Sequence, residues 1–475
     1  MSTRTRRSRI PDVLQTRHES VFIHQTRSNV RLSEIIGPLS YALDLADGFA
    51  PGHALRACWI GMHIGQRLGL DAEKLSNLYY TILLKDIGGS AAAGRLCSVF
   101  ANDDFKVKSQ YRFVYDQSAV ETLVFLFRNV APDAPLFPRL VRFAYVFFRG
   151  KKIRRELHQV RCRRGIALAA RMGFSFEVAD GIRCLDEHYN GRGKKIPLFS
   201  RIALVSQFFE IYHCAAGVER ALRKVRRRSR MWFDPELVDV LETLTADPAF
   251  YEPLRSPDIL HLVHNLEPKG TPHASEALND HQIDETARAF ADIIDAKSQF
   301  NKGHALRVAH YAQIMAKQLG LSEDDVKFLY RAGLLHDIGT LGISNTILDK
   351  PGRLDPQQWT SVKLHPIVSE ELLKRVDAFS ELGFLAGAHH ERLDGKGYPR
   401  GLKGDDIPPH ARILALAGAF DAISYPRAYH PTRTVQEALA ILEEERDLTV
   451  DGACLDALRK ALNNDLASIA LLETV

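Results

Sequence analysis

Apolar positions along the chain recur at helical spacing. Leu306, Ala309, Tyr311, Ile314 and Leu319 form one such series, and Phe328, Leu329, Leu334 and Leu335 form the next. Between them Gly320 marks a stop and Ser322 a new N-cap. Further on, PGRLDPQQW predicts a turn, then Asp355 as N-cap with Pro356 at the first helical position. Alternation with a period of two is rare, as are Thr/Val-rich runs. The predicted fold class is therefore all-α.

The helical pattern is used twice. The segment from His53, HALRACWIGMHIGQRLGLDAEKLSNLYYTILLKDIG, aligns without a gap to the segment from His304, HALRVAHYAQIMAKQLGLSEDDVKFLYRAGLLHDIG. The match has 14 identities over 36 residues at a constant offset of 251. A second echo joins NGRGKKIPLFSRIALVSQFFEI (190–211) to DGKGYPRGLKGDDIPPHARILALAGAFDAI (394–423). Five prolines (248, 253, 257, 268 and 272) gather where the copies meet, which reads as linker or short-helix chemistry. The expected organisation is a basic, flexible N-terminus (1–32), a first helical unit (33–243), a Pro-rich linker (244–282) and a second helical unit (283–475). Each unit is long enough to bury its own core.

Composition adds exclusions. The 475 residues are 45% hydrophobic and 25% charged, which is globular rather than disordered or collagen-like. No apolar run approaches the roughly 20 residues a spanning helix needs. The basic start lacks the apolar stretch of a secretory signal, so neither a membrane nor export is expected. Six cysteines without a CxxC pair point to a reducing, cytoplasmic setting. A net charge of +5 is too mild to imply nucleic acid. The run Arg220–Arg230 reads as a solvated helix face, with contact to an acidic partner as a further hypothesis.

The 19 histidines carry the chemistry. In the second unit His304, His336, Asp337, His365, His389 and His390 stand out. Adjacent His-Asp at a helix end offers an imidazole nitrogen beside a carboxylate able to bridge, a set suited to Fe, Mn, Co, Ni or Zn. His389-His390 is a second adjacent pair, and single histidines from other helices would complete a cluster in a bundle core. Each histidine alone reads more readily as a core residue. His310 and His410 are read as surface or packing residues.

These residues carry a resemblance. HDIG (336–339), LDKPGRL (348–354), LHP (364–366), HHERLDGKGYPRGL (389–402), IPPHARILALA (407–417) and DAISYPRAYH (421–430) resemble the HD-GYP family, a branch of the HD-domain metal phosphohydrolases. The resemblance covers about 285–445, and the first unit is similar to a degenerate HD domain. It implies two tandem HD-type helical bundles and a centre of two or three divalent ions, Fe, Mn or similar, which hydrolyses the cyclic dinucleotide cyclic di-GMP. It also implies Asp337 as the bridging carboxylate, and a substrate loop of Asp394, Gly395, Gly397, Tyr398 and Pro399. Arg427 falls where the family clamps a phosphate. Such a centre activates water near neutral pH for in-line attack on phosphorus. Tyr398 offers a face for a base.

Three positions depart from the family pattern. Thr340 stands where a lysine is usual, supplying a hydroxyl but no charge. Gly418 stands where the last ligand aspartate is usual, and Asp421, three residues on, is the candidate to fill that gap. Phe300 stands where a third-metal carboxylate occurs, which favours two metals. In the first unit His53 and Asp86 persist, but Lys85 replaces the motif histidine, Leu185 and Asp186 replace the histidine pair, and Gln207 falls opposite Gly418. No metal is expected there. Packing, self-association or a protein partner is the expected role. The competing functional readings are a catalytically inactive nucleotide-binding or protein-interaction module and an HD hydrolase of ordinary nucleotides.

Overall fold

The computed structural model describes residues 30–114, 119–190, 195–427 and 432–464. The expected flexible N-terminus falls almost wholly outside them, as do parts of the NGRGKKIP and DAISYPRAYH segments. The described residues form helices and turns, with three isolated bridges and no strand. Helix starts follow local chemistry. Ser322 and Asp325 cap one another's backbone N–H groups, and Asp355 and Gln358 do the same with Pro356 in the first turn.

The sequence repeat is also a repeat in space. Helices His53–Arg67 and Ala72–Leu83 correspond to His304–Gln318 and Glu323–Leu335. Each pair runs into an Asp-Ile-Gly turn whose glycine permits a close approach. A Cβ on Gly339 would lie 2.2 Å from the carbonyl oxygen of His365, and one on Gly88 would lie 2.1 Å from that of Arg161. Helix His365–Lys374 and the 36-residue helix Leu136–Arg171 thus dock against equivalent turns.

The two copies embrace through their leading helices. Helix Leu32–Ala46 packs on the turn Ile338–Gly342 and on helix His365–Lys374 of the second copy. Reciprocally, helix Asp280–Asp295 packs on the turn Ser90–Ala92 and on helix Leu136–Arg171 of the first. Ser90 donates to the carbonyl of Ile293 at 2.8 Å, and Arg164 to that of Asp292 at 2.7 Å. The apolar core is continuous across this junction. The Pro-rich stretch forms three short α-helices, Pro248–Tyr251, Ile259–His264 and Pro272–Ser275, with a 3-10 turn at Glu252–Arg255. Phe250, Leu254, Ile259 and Val263 are buried there, and Glu267 accepts from Ser33 and Tyr80, both at 2.6 Å.

One buried ion pair also crosses between the copies. Lys297 Nζ lies 2.9 Å from Asp104 Oδ2, and neither side chain is exposed. The other Asp104 oxygen accepts from the backbone of Asn345 at 3.1 Å and from Ser344 at 3.2 Å. Asn345 in turn donates to the carbonyl of Lys297 at 2.6 Å. Helix Asp104–Val114 of the first copy thereby fixes the segment that follows the HDIG turn of the second.

The basic run is partly structural. Arg226 pairs with Glu242, and the Arg228 guanidinium lies 5.0 Å from both the Phe208 and Trp232 rings. No helix among the described residues is long and apolar enough to cross a membrane. All six cysteines are free.

Breaking a buried ion pair strands the remaining charge. Lys297→Met should lower the unfolding free energy by about 3–5 kcal/mol in urea titrations. The double variant Lys297→Met/Asp104→Asn, which removes the stranded charge but keeps an acceptor for Asn345 and Ser344, should recover part of that loss. Equal stability of the single variant and wild type would contradict this account.

Candidate metal centre

The site histidines share one local rule. Helix Glu323–Leu335 ends one residue before His336, helix Pro356–Lys363 two before His365, and helix Ser380–Ala388 one before His389. Each ring donates its Nδ1–H to the carbonyl three residues back: Gly333 at 2.7 Å, Val362 at 2.7 Å and Ala386 at 2.6 Å. A carbonyl only accepts, so the proton sits on Nδ1 and the Nε2 lone pair faces inward. His304 follows the same logic with a different partner. Its Nδ1 donates to Asp421 at 2.6 Å, and Arg307 holds that carboxylate at 2.5 Å.

The Nε2 atoms converge on Asp337. Its Oδ2 lies 3.5 Å from His304 and 3.8 Å from His336. Its Oδ1 lies 3.1 Å from His365 and 3.5 Å from His389. Two donor groups result, His304/His336/Asp337 and His365/His389/His390, with the donor atoms in each within 4.8 Å of one another. Burial is the main force on these rings. It holds His336 down at about 3, and it lowers His389 and His390, with neighbouring imidazoles adding to the effect. His304 is raised, because Asp421 and Asp337 more than offset burial and Arg427. Burial alone would raise Asp337, but the surrounding histidines hold its carboxylate well below the usual range.

This arrangement fits divalent cations. The His365 and His389 Nε2 atoms face each other at 3.2 Å, lone pair to lone pair, beside a carboxylate. Such a set is repulsive until a cation stands among it.

The structure separates the other sequence-predicted residues into groups. Tyr398, Thr340, Arg427, Gly418 and Phe300 line one cavity of about 770 Å³ together with the histidines and Asp337. The Tyr398 ring stacks on His390 at 4.7 Å. Arg427 donates to Asn301 at 2.7 Å, while its buried Nε has no partner. The Thr340 hydroxyl donates to the Asp337 carbonyl at 2.6 Å. Asp394, Gly395, Gly397 and Pro399 shape the loop and do not line the cavity. Asp394 binds Arg392 and the Lys396 N–H, Gly395 has φ +74°, and a Cβ on Gly397 would meet Arg392 N at 2.5 Å. Asp421 stands behind His304 rather than among the inward-facing donors, and burial, His304 and Arg307 together set it at about 2. A side chain at Gly418 would meet nothing within 4 Å, so that gap opens onto the cavity.

Sequence reasoning missed three supports. Arg307 was hidden inside the HALR match. Glu391 was in the motif, yet its role was not visible: its buried carboxylate accepts from the backbones of Arg400 at 2.7 Å and Leu402 at 2.9 Å, closing the loop. Trp359, with its ring 5.8 Å from that of Tyr398, reaches the loop from helix Pro356–Lys363.

The first copy holds the same framework with cations built in. His53 pairs with Glu210, and Arg56 holds Glu210 at 2.6 Å, as His304 and Arg307 do with Asp421. The Gly88 contact places Arg161 where His365 stands. Its guanidinium lies 2.6 Å from Asp86 and 3.2 Å from Asp186, and buried Lys85 also pairs with Asp86. Two side-chain cations therefore occupy the ground between the carboxylates.

A family model described as HD domain matches residues 288–454. A 3'3'-cGAMP-specific phosphodiesterase of Vibrio cholerae serotype O1 is 43% identical over 439 residues, which are 91% of this chain and 95% of the relative. The chain belongs to the HD-GYP family of HD-domain phosphodiesterases. A cyclic di-GMP phosphodiesterase response regulator of Xanthomonas campestris pv. campestris is 40% identical over 37% of this chain and 47% of its own. The crystal structure of a cyclic GMP-AMP-specific phosphodiesterase of Vibrio cholerae matches with a TM-score of 0.63 and 38% identity, over 92% of this HD-GYP protein and 98% of that chain.

Metal analysis after reconstitution tests the roles of Asp421 and Gly418. Asp421→Asn should weaken metal affinity about 10–100-fold by freeing the His304 ring. Gly418→Asp should raise affinity, and His53→Ala should leave the metal content unchanged. Full, equal occupancy of wild type and Gly418→Asp at limiting metal would refute the idea that Gly418 weakens the site.

Proposed function

We propose that this HD-GYP protein hydrolyses a 3'3'-linked cyclic dinucleotide at a two-metal centre, with 3'3'-cGAMP preferred to cyclic di-GMP. The observation that carries the reading is the pair of histidine groups on either side of Asp337, opening onto a cavity large enough for a dinucleotide. The preference for 3'3'-cGAMP rests on the relative of that specificity, whose similarity spans both copies.

The residues divide the work. His304, His336, His365, His389, His390 and Asp337 would hold the ions, Fe or Mn being suited to such donors. Divalent ions there would supply Lewis-acid activation of water and of the phosphoryl oxygen. Six cationic side chains line the cavity (Lys350, Lys363, Lys396, Arg392, Arg412 and Arg427); Arg392 and Arg412 pair with Asp394 and Asp451, and the others complement the two phosphates of the substrate. Arg427, with its unpartnered Nε, is the phosphate clamp. Tyr398 and Trp359 are edge to face, with Lys363 Nζ 5.6–5.8 Å from both rings, and offer a platform for one base. Thr340 already spends its proton on the Asp337 carbonyl, so it adds no donor where the family has a lysine. Together with Gly418 this favours slower turnover than in members that keep both residues. The same two residues motivate the second reading, a catalytically inactive nucleotide receptor.

Purified protein loaded with Mn or Fe should linearise 3'3'-cGAMP with a kcat/KM at least about tenfold above that for cyclic di-GMP, a difference of roughly 1.4 kcal/mol. Tyr398→Ala should raise KM more than it lowers kcat. Tight binding of either dinucleotide with no turnover would establish the receptor reading instead.

A further inference from the structure

The first copy carries a surface that the catalytic reading leaves unused. Helices Ala119–Asn129 and Leu136–Arg171 share a small core of their own, formed with Val99, Phe100 and Val107 and separate from the main one. Away from that core, Val120, Leu123, Val124 and Phe127 are exposed at the i, i+3, i+4, i+7 spacing of a packing stripe. On the long helix Leu136, Phe137, Leu140, Val141, Phe147 and Phe148 are exposed as well, with Phe137 at 78% and Phe148 at 81%. They fall within about half the helix circumference at 100° per residue.

We infer that this two-helix face is the interface between two copies of the chain, closed by a twofold axis into a four-helix bundle. Area is the first argument. At about 150–250 Å² per aromatic side chain, the exposed parts of its phenylalanines and Tyr145 amount to about 600 Å², and the aliphatic residues bring the face to the order of 1,000 Å². That exceeds the roughly 300–600 Å² of the largest apolar patch on a typical monomer and meets the ~800 Å² per partner of a stable complex.

Charge is the second argument. A twofold contact sets the same patch against itself, so a charge within it tends to face its like. The arginines in this stretch of the long helix border the apolar arc, the Arg139 guanidinium 4.8 Å from the Phe127 ring and that of Arg149 5.7 Å from the Tyr145 ring. Arg139 donates to the carbonyl of Phe127 at 2.5 Å and Arg142 to that of Ser98 at 2.7 Å. Between 136 and 148 the arc positions themselves carry no charged residue, and two bordering arginines are fewer than the basic face of a membrane-surface helix, which suits an identical copy better than an anionic lipid surface. The cavity is lined by residues 300–451, and no residue of the proposed face is among them. The inference does not depend on which dinucleotide is the substrate.

Sedimentation velocity of the full chain at micromolar concentration should give a dimer. Phe137→Glu/Phe148→Glu should weaken it by at least about 100-fold, with unchanged circular dichroism and unchanged metal content. Leu123→Lys/Phe127→Lys, on the other helix, should do the same. Backbone amides in 120–148 should exchange more slowly in wild type than in either variant. A monomeric wild type overturns the inference, as does a dimer that survives both variants. Flotation of a monomeric chain with phosphatidylglycerol vesicles would overturn it in favour of a lipid surface.

Discussion

The centre depends on where four protons sit. His336, His365 and His389 each give their Nδ1 proton to a carbonyl one turn back, and His304 gives its own to Asp421. The inward nitrogens of His336, His365 and His389 are then bare lone pairs, and burial keeps His336 and His389 from taking up a second proton. Asp337 is the hub because its two oxygens face two different pairs of rings. Affinity for divalent cations follows from this tautomer pattern as much as from the histidine count.

The first copy shows what happens when the same geometry is satisfied from within. Lys85 and Arg161 bring permanent positive charge to Asp86 and Asp186, so the carboxylates no longer need ions. The outer His–carboxylate–Arg support survives as His53, Glu210 and Arg56. What remains is a core whose carboxylates are paired from within. It also reaches across the junction, where Asp104 holds Lys297 and the backbone just beyond the HDIG turn. The degenerate copy thus braces the segment whose Ile347 and Leu348 line the cavity beside the histidine cluster.

Much of this was legible in the chain. Apolar periodicity, the N-caps at Ser322 and Asp355 and the offset of 251 announced helices and a duplication, since these are local signals. The histidines were legible because their motif is dense. Asp421 was misjudged for a clear reason: spacing of three along a helix says which face a residue shares, not whether a histidine ring stands between it and the cavity. Arg161 escaped notice because it reaches the site from a helix without sequence similarity to its counterpart, and only the Gly88 contact reveals the equivalence.

The sequence by itself therefore determined the helical class, the double use of one unit and the dense histidine motif, all of which are written in short-range order. Tertiary structure decided the rest. It set which face of each imidazole is bare, put Asp421 behind His304, let Lys85 and Arg161 neutralise the first site, and left one two-helix face uncovered. These outcomes turn on contacts between residues far apart in the chain, such as the 117 positions between His304 and Asp421. Electrostatics and packing act on distance in space, and the order of residues fixes that only after the chain has folded.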